Sequence, residues 1–192
     1  HLVGETESGQ VTSLVRYLPG SSFPEHGHPD GEEIFVIEGT FSDHLGDAHA
    51  GTHLLNPEGF RHAPHSEPGC TILVKLRQYG GEGREFHRTQ TRDMTWSKTD
   101  LRGVEQKLLY RDGRFPDVTR LERWAPGAAP GPRELPGGAE LFIIEGALED
   151  AEGRSPAGTW LRLPAGSTLE AHSSDGCVVY LKTGALPALR SS

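Results

Sequence analysis

Four side chains in the first third of the chain could bind one metal ion together. His26 and His28 are two residues apart, so on a β-strand both imidazoles would point to the same face. Glu32 follows across a Pro-Asp-Gly turn, and His62 follows a second turn that could bring a third imidazole from a separate strand. Three nitrogens and one oxygen suit Fe, Mn, Co, Ni, Cu or Zn. The alternative is that these are solvated histidines on surface turns.

An internal repeat separates these two interpretations. At an offset of 107 residues, 11–76 align with 118–183 without a gap, and 26 of the 66 aligned positions are identical. The turn residues are retained in both copies, among them Gly20, Pro29, Gly31, Pro57 and Gly59. The candidate ligands His26, His28, Glu32 and His62 instead align with Arg133, Leu135, Ala139 and Leu169. Since the four are lost as a set, the repeat favours one metal-binding copy and one that has lost its site.

The alignment of the two copies also suggests roles for the other histidines. Seven of the ten lie between positions 26 and 65, and the second copy has His172 alone. His172 aligns with His65, so both are expected to pack or form hydrogen bonds in a structural role. His53 aligns with Trp160, and it could line a pocket or face solvent.

Charge and hydropathy exclude several classes of protein. The chain has 192 residues, 34% of them hydrophobic, with a mean hydropathy of -0.50, and no apolar run approaches the roughly 20 residues of a membrane helix. A net charge of -8 disfavours binding to nucleic acid or anionic lipid. Cys70 and Cys177 occupy equivalent positions and are interpreted as small buried side chains. Without a signal-peptide pattern, the cytoplasm is the expected compartment.

The elements that must position these residues are predicted to be strands. Gly 25 plus Pro 14 gives 39 of 192 residues, too many for a helical bundle, so the fold class is all-β. Apolar and β-branched runs bounded by turn residues predict strands at 11–18, 33–38, 52–55 and 71–76, and again in the second copy. The predicted organisation is a first domain at 1–80, a connector at 81–106 and a second domain at 107–192.

The residues around both turns resemble the motifs of the cupin superfamily. The first motif matches Gly20, His26, His28, Glu32 and Gly39. The second matches Gly51, Pro57, Gly59 and His62, with Ser66 where Asn is usual. The resemblance implies two tandem double-stranded β-helix (jelly-roll) barrels. It also implies a metal site at His26, His28, Glu32 and His62 in the first barrel and none in the second.

More narrowly, segments 32–43 and 69–78 resemble the cupin domain of the ChrR anti-sigma factors and their stand-alone relatives, which include iron-dependent dioxygenases that cleave diketones and hydroxyketones. The resemblance implies one divalent transition metal, with Fe(II) and Zn favoured over Mn, Ni, Co and Cu. As an enzyme, the protein would be a dioxygenase-like metalloenzyme acting on a small oxygenated organic substrate. As a regulator, it would hold structural or sensing zinc and bind a sigma factor.

The expected partner is a small molecule, as substrate or effector, rather than nucleic acid or a membrane, and a homodimer through jelly-roll edges is also expected. A metal-dependent isomerase or lyase is a third alternative, because one fold serves many reactions. The walls of the pocket discriminate among substrates. Apolar walls favour a ketone, whereas clustered Arg and Lys favour a phosphorylated or carboxylated compound. Arg61, beside His62, could anchor such a substrate or point outward.

Overall fold

The computed structural model describes residues 9–186 and is all-β, as predicted. No helix within these residues has the length and apolar character needed to cross a membrane. The strands of the first unit are β1 (Val11–Tyr17), β2 (Ser21–Ser22), β3 (His26–Gly27), β4 (Glu32–Asp43), β5 (Gly46–His49), β6 (Thr52–Asn56), β7 (Arg61–His62), β8 (His65–Ser66), β9 (Cys70–Leu76) and β10 (His87–Gln90), followed by a 3-10 turn at Thr91–Asp93. The second unit contains β11 (Ser97–Lys98), β12 (Val104–Arg111), β13 (Val118–Trp124), β14 (Arg133–Leu135), β15 (Ala139–Asp150), β16 (Gly153–Pro156), β17 (Trp160–Leu163), β18 (Ser167–Leu169) and β19 (Cys177–Thr183).

The long strand β4 organises the first unit. Its first half pairs with β9 and β6 in a sheet of order β1-β9-β4-β6-β10, and its second half pairs with β5 and β8. The strand passes from one set of partners to the other at a register shift between Val36 and Glu38. This shift is followed by Gly39, which has a φ of 75°. A Cβ at Gly39 would overlap the carbonyl oxygen of Gly69, so the corner requires glycine there. One strand thereby contributes to two sheets, as in a jelly roll.

The interior of the first unit follows from strand alternation. Ile34 and Val36 of β4 point to the same side as Ile72 and Val74 of β9, and Phe41 joins them after the corner. All five are at most 5% exposed. This apolar interior borders the short strands β3 and β7 and the start of β4, where the candidate ligands lie.

The second unit repeats this arrangement over the sequence repeat. Strand β15 pairs with β19 and β17 and then with β16, and its register shifts between Ile143 and Glu145, just before Gly146 at a φ of 71°. Strands β11 and β12 extend its sheet beside β13. The chain therefore forms two tandem jelly-roll units, as the resemblance implied.

The two units meet in sequence between Asp93 and Met94. Residues 81–106, predicted as a connector, are shared between them. Strand β10 pairs with β6 of the first unit, whereas β11 pairs with the first residues of β12 in the second.

Candidate functional site

His26 and His62 lie directly opposite each other on a two-residue ladder. Strands β3 and β7 are antiparallel, with His26 paired to His62 and Gly27 to Arg61. The turn before β7 closes through a hydrogen bond from the Phe60 N–H to the carbonyl of Pro57, at 3.1 Å. This turn places His62 on a strand that could not otherwise reach β3, as its sequence spacing predicted.

His28 and Glu32 are brought together by the turn between β3 and β4. Asp30 and Gly31 both have positive φ, 58° and 71°, and the Gly31 N–H donates to the His28 carbonyl at 3.2 Å. A Cβ at Gly31 would overlap the backbone carbonyl oxygens of Tyr79 and Asn56. The turn therefore needs glycine at this position, and it returns the chain so that Glu32 begins β4 beside His28.

The three imidazoles converge on one point. The Nε2 atoms of His28 and His62 are 2.9 Å apart, and one ring nitrogen from each of the three histidines lies within 4.8 Å of the others. The Glu32 Oε2 atom is 3.5 Å from Nε2 of His28 and 3.6 Å from Nε2 of His62. All four residues singled out in the sequence therefore meet, three of them as a compact group and Glu32 at its edge.

Hydrogen bonds to the Nδ1 atoms of His62 and His26 determine which ring nitrogen of each points towards the other histidines. The Nδ1 atom of His62 is 3.3 Å from Oδ2 of Asp43, and Nδ1 of His26 is 2.8 Å from the carbonyl of Pro24. Both partners accept hydrogen bonds, so the Nδ1 atoms carry the protons and the Nε2 lone pairs remain available. This is the arrangement in which an outer carboxylate or carbonyl orients a metal-binding imidazole.

The protonation equilibria also fit a bound cation. Burial, with the charges of His62 and His26, lowers the pKa of His28 to about 4, so its imidazole is neutral at pH 7. Burial raises the pKa of Glu32, which is 4% exposed and accepts a hydrogen bond from Asn56 Nδ2 at 2.9 Å. A neutral His28 imidazole beside a buried carboxyl group is a pair of donors that a divalent ion would complete.

Burial alone would raise the pKa of Asp43, but hydrogen bonds with His62 and the Leu45 N–H outweigh it and hold that pKa below its usual value. Asp43 therefore stays ionised at neutral pH, as an acceptor for His62 must.

A cavity of about 150 Å³ opens beside the four side chains. The described residues that line it include neither Lys nor Arg. Its other walls are apolar or aromatic, and they comprise Val15, Tyr17, Phe23, Phe41, Pro64, Ile72, Val74 and Leu76. Arg61, weighed as a substrate anchor, points outward instead, because its guanidinium pairs with Glu25 at 3.0 Å and its side chain is 61% exposed.

Several other expectations can be compared with the structure. Both cysteines are buried and free, as predicted. His53 neither lines the cavity nor faces solvent, since it is fully buried and lies 3.0 Å from Glu33. His65 and His172 were expected to pack or form hydrogen bonds: His65 is exposed on β8, whereas the half-exposed His172 lies 3.2 Å from Oε2 of Glu149.

Ser66, which stands where the cupin motif usually has Asn, donates a 2.6 Å hydrogen bond to the carbonyl of Thr40. Its counterpart Ser173 donates to the carbonyl of Ala147 at the same distance. The serine therefore has the same structural role in both units.

Two residues that support the site were missed in the sequence. Asn56 aligns with Leu163, so it is lost in the second copy along with the candidate ligands, and that signal could have found it. Asp43 aligns with Asp150 and therefore looked structural. Its Oδ1 atom indeed accepts a turn hydrogen bond from Leu45, as Asp150 does from Glu152, while its Oδ2 atom faces His62.

The second unit has an apolar interior at the corresponding positions. Leu135, Ala139 and Leu169 are each at most 5% exposed and belong to one hydrophobic cluster. Arg133, the counterpart of His26, donates two hydrogen bonds to the buried Glu122, at 2.8 and 2.9 Å. Packed leucines and an internal ion pair thus replace the donor set.

Comparisons with known proteins agree with this description. A family model for the ChrR Cupin-like domain matches residues 1–80 and 84–187. A proposed dioxygenase from Nostoc punctiforme has a similar structure, with a TM-score of 0.81 and 19% identity over 98% of this chain and 74% of that one. A proposed glyoxylate-induced protein from Pseudomonas aeruginosa gives a TM-score of 0.74 and 16% identity over 95% and 76%.

The oxalate decarboxylase of Bacillus subtilis, described with Mn(II) centres, gives a TM-score of 0.65 and 12% identity over 94% of this chain and 70% of that one. At these identities the structural similarities show a shared fold. No curated protein sequence matches the chain.

Proposed function

The chain belongs to the ChrR Cupin-like domain family, and from that premise we propose that its first unit is a dioxygenase-like metal centre for a small oxygenated organic molecule. The ligands are His26, His28, His62 and Glu32, holding one divalent transition-metal ion. Fe(II) is the ion that this function requires.

One observation carries the proposal: three imidazole nitrogens and a buried carboxylate converge at the wall of an apolar cavity. A mixed nitrogen and oxygen set of this kind suits iron, which these residues would hold at the wall of the cavity. When bound, such an ion supplies Lewis-acid polarisation of a coordinated substrate and, as Fe(II), a centre for reaction with O2.

The protein's own residues supply position and environment. Asp43 and the Pro24 carbonyl orient two of the imidazoles, and Asn56 holds the Glu32 carboxyl. The apolar walls exclude water from the reacting groups. A cavity of about 150 Å³ matches the size of engineered cavities that bind benzene, so it admits a ligand of about six heavy atoms.

The chemistry of the walls indicates the substrate class. The described cavity residues contribute no cationic side chain that could pair with a phosphate or a free carboxylate. A ketone or hydroxyketone can instead reach the ion through its oxygens while its carbon skeleton contacts aliphatic and aromatic walls. The proposed dioxygenase of Nostoc punctiforme and the Mn(II)-containing oxalate decarboxylase share this fold, which supports a catalytic use of the site.

A second candidate function is regulatory. The matching family model is that of the ChrR Cupin-like domain, which favours a cupin that holds zinc as a structural or sensing ion and signals to a sigma factor. The donor set of the first unit serves zinc as well as iron. The two functions therefore differ in the metal and in its exchange, both of which can be measured.

The discriminating experiment is elemental analysis of protein purified anaerobically without added metal, with a His26→Ala variant as the blank. We expect close to one equivalent of iron, lost in the variant, and O2 consumption with small diketones or hydroxyketones. One equivalent of zinc that resists exchange would support the regulatory function instead. If the wild-type protein and the variant were both free of metal, the site assignment itself would be wrong.

A further inference from the structure

Tyr17 lies on the wall of the cavity with the candidate ligands. It is the last residue of β1 and is 8% exposed. Its ring packs edge-on against Phe23 and Phe41, with centroid distances of 5.3 and 5.8 Å. Among the described cavity residues, its hydroxyl is the one side-chain hydrogen-bonding group outside the proposed ligand set.

Among residues 9–186 the Tyr17 hydroxyl makes no hydrogen bond, and it is not one of the fully buried unpaired side-chain atoms, so it retains some access to the space beside it. The hydroxyl of a largely buried tyrosine ordinarily finds a hydrogen-bond partner, either in the protein or in a molecule that occupies the space beside it. The two aromatic rings that pack against Tyr17, those of Phe23 and Phe41, offer no acceptor. Because Tyr17 lines the cavity, its hydroxyl is available to a ligand held there.

The residue that corresponds to Tyr17 in the second unit, where the candidate ligands are absent, has a different hydrogen-bonding environment. Trp124 is the counterpart of Tyr17, and its indole N–H donates to Glu122 at 3.1 Å. The counterpart of Glu122 in the first unit is Val15, which has no polar atom in its side chain. Thus the second unit contains an internal acceptor for this aromatic donor, while the first unit has valine in its place.

We propose that Tyr17 is a ligand-binding residue whose phenol donates a hydrogen bond to an oxygen of the small molecule held beside the three imidazoles. This inference rests on the proposed function and adds a recognition element to it. The role requires a hydroxyl that keeps its proton. A phenol ordinarily has a pKa of about 10, and burial raises the pKa of Tyr17 further, so the phenol keeps its proton at neutral pH.

The test measures the binding of two small molecules of similar size to the Co(II)-loaded protein. Binding is detected by the change in the visible absorption of the cobalt. Acetohydroxamate coordinates through oxygens that can also accept a hydrogen bond, whereas imidazole coordinates through its nitrogen and leaves no acceptor. In the Tyr17→Phe variant we expect the dissociation constant of acetohydroxamate to rise on the order of tenfold, since a hydrogen bond to a charged oxygen is lost. The dissociation constant of imidazole should change less than about twofold.

Tyr79→Phe is the matched control. It removes a fully buried hydroxyl of the same unit that donates to the carbonyl of Glu85, away from the cavity. We expect it to leave both dissociation constants unchanged. Equal losses for the two probes in Tyr17→Phe, or no loss for acetohydroxamate, would overturn the role, as would loss of cobalt from that variant. A wild-type protein that takes up no cobalt would instead overturn the proposed metal site on which the inference rests.

Discussion

Asp43 holds His62 from behind, so its replacement by asparagine tests the geometry of the site without removing a proposed ligand. The Oδ2 atom of Asp43 lies 3.3 Å from Nδ1 of His62, and the Oδ1 atom accepts the Leu45 N–H at 2.8 Å. The Asp43→Asn side chain would keep an oxygen for Leu45 but present an uncharged group to the imidazole. The proton would then no longer be held firmly on Nδ1, and Nε2 would be a poorer ligand.

The expected loss can be stated from this geometry. Removing an outer partner of a metal-binding imidazole typically lowers metal affinity about 10- to 100-fold. Because 3.3 Å is long for such a hydrogen bond, we expect the lower end of the range for Asp43→Asn, a loss of about tenfold or ~1.4 kcal/mol. The metal-free protein should lose only about 1 kcal/mol of unfolding free energy, the usual contribution of one hydrogen bond.

The assay is a competition titration of Co(II) or Zn(II) against a chromophoric chelator, together with urea unfolding of the metal-free protein. Asp47→Asn is the matched control, because Asp47 lies on the same hairpin and accepts from Ser42 Oγ at 2.7 Å without contacting the histidines. It should bind metal within about twofold of wild type, since no imidazole depends on it. Wild-type affinity in Asp43→Asn would refute the proposed orientation of His62.

Two further predictions concern the frame around the site. Burial alone would raise the pKa of Glu122, but its hydrogen bonds and charge interactions with Arg133 and Arg120 hold that pKa below its ordinary value of 4.5. The ionised carboxylate therefore stabilises the fold above about pH 4.5, and this stabilisation is lost as the pH falls through the lower folded pKa. In Glu122→Gln, the unfolding free energy should depend less on pH below about 4.5 and should be about 3 kcal/mol lower at neutral pH. An unchanged pH dependence of unfolding would contradict the stabilising role of the Glu122 carboxylate. Gly39→Ala should destabilise the first unit by at least ~1 kcal/mol more than Gly46→Ala. Both glycines have positive φ, but only position 39 lacks room for a Cβ. Equal melting temperatures for the two variants would show that the bend of β4 does not require glycine at position 39.

The strand pattern and the candidate ligands could be predicted because each depends on local sequence. Apolar and β-branched runs bounded by turn residues predicted β1, β6 and β9 to within a residue or two. Turn residues also determined the spacing of His26, His28, Glu32 and His62. The second copy served as an internal control, since its turns were retained where its candidate ligands were not. These features required no knowledge of long-range contacts.

What could not be predicted depends on pairing across the sheets. Strand β4 was expected to end at Glu38, because glycine usually interrupts a strand, yet Gly39 is the corner that carries the strand to Asp43. Asp43 could not be recognised from the repeat, because its counterpart Asp150 is also an aspartate. Both accept a turn hydrogen bond, and only Asp43 also faces an imidazole. Tyr17 belongs to the site through the fold of β1 over the cavity, which no spacing in the sequence reveals.

X-ray absorption at the metal edge tests the central claim most directly, because it counts ligands by type. In the Zn(II)-loaded protein we expect three imidazole nitrogens at about 2.0–2.1 Å, with oxygen in the remaining positions. His62→Ala should reduce the imidazole count or empty the site, whereas His172→Ala, in the second unit, should leave the spectrum unchanged. Sulfur scattering at about 2.3 Å, or a spectrum that changes with His172, would contradict a metal centre built from His26, His28, His62 and Glu32.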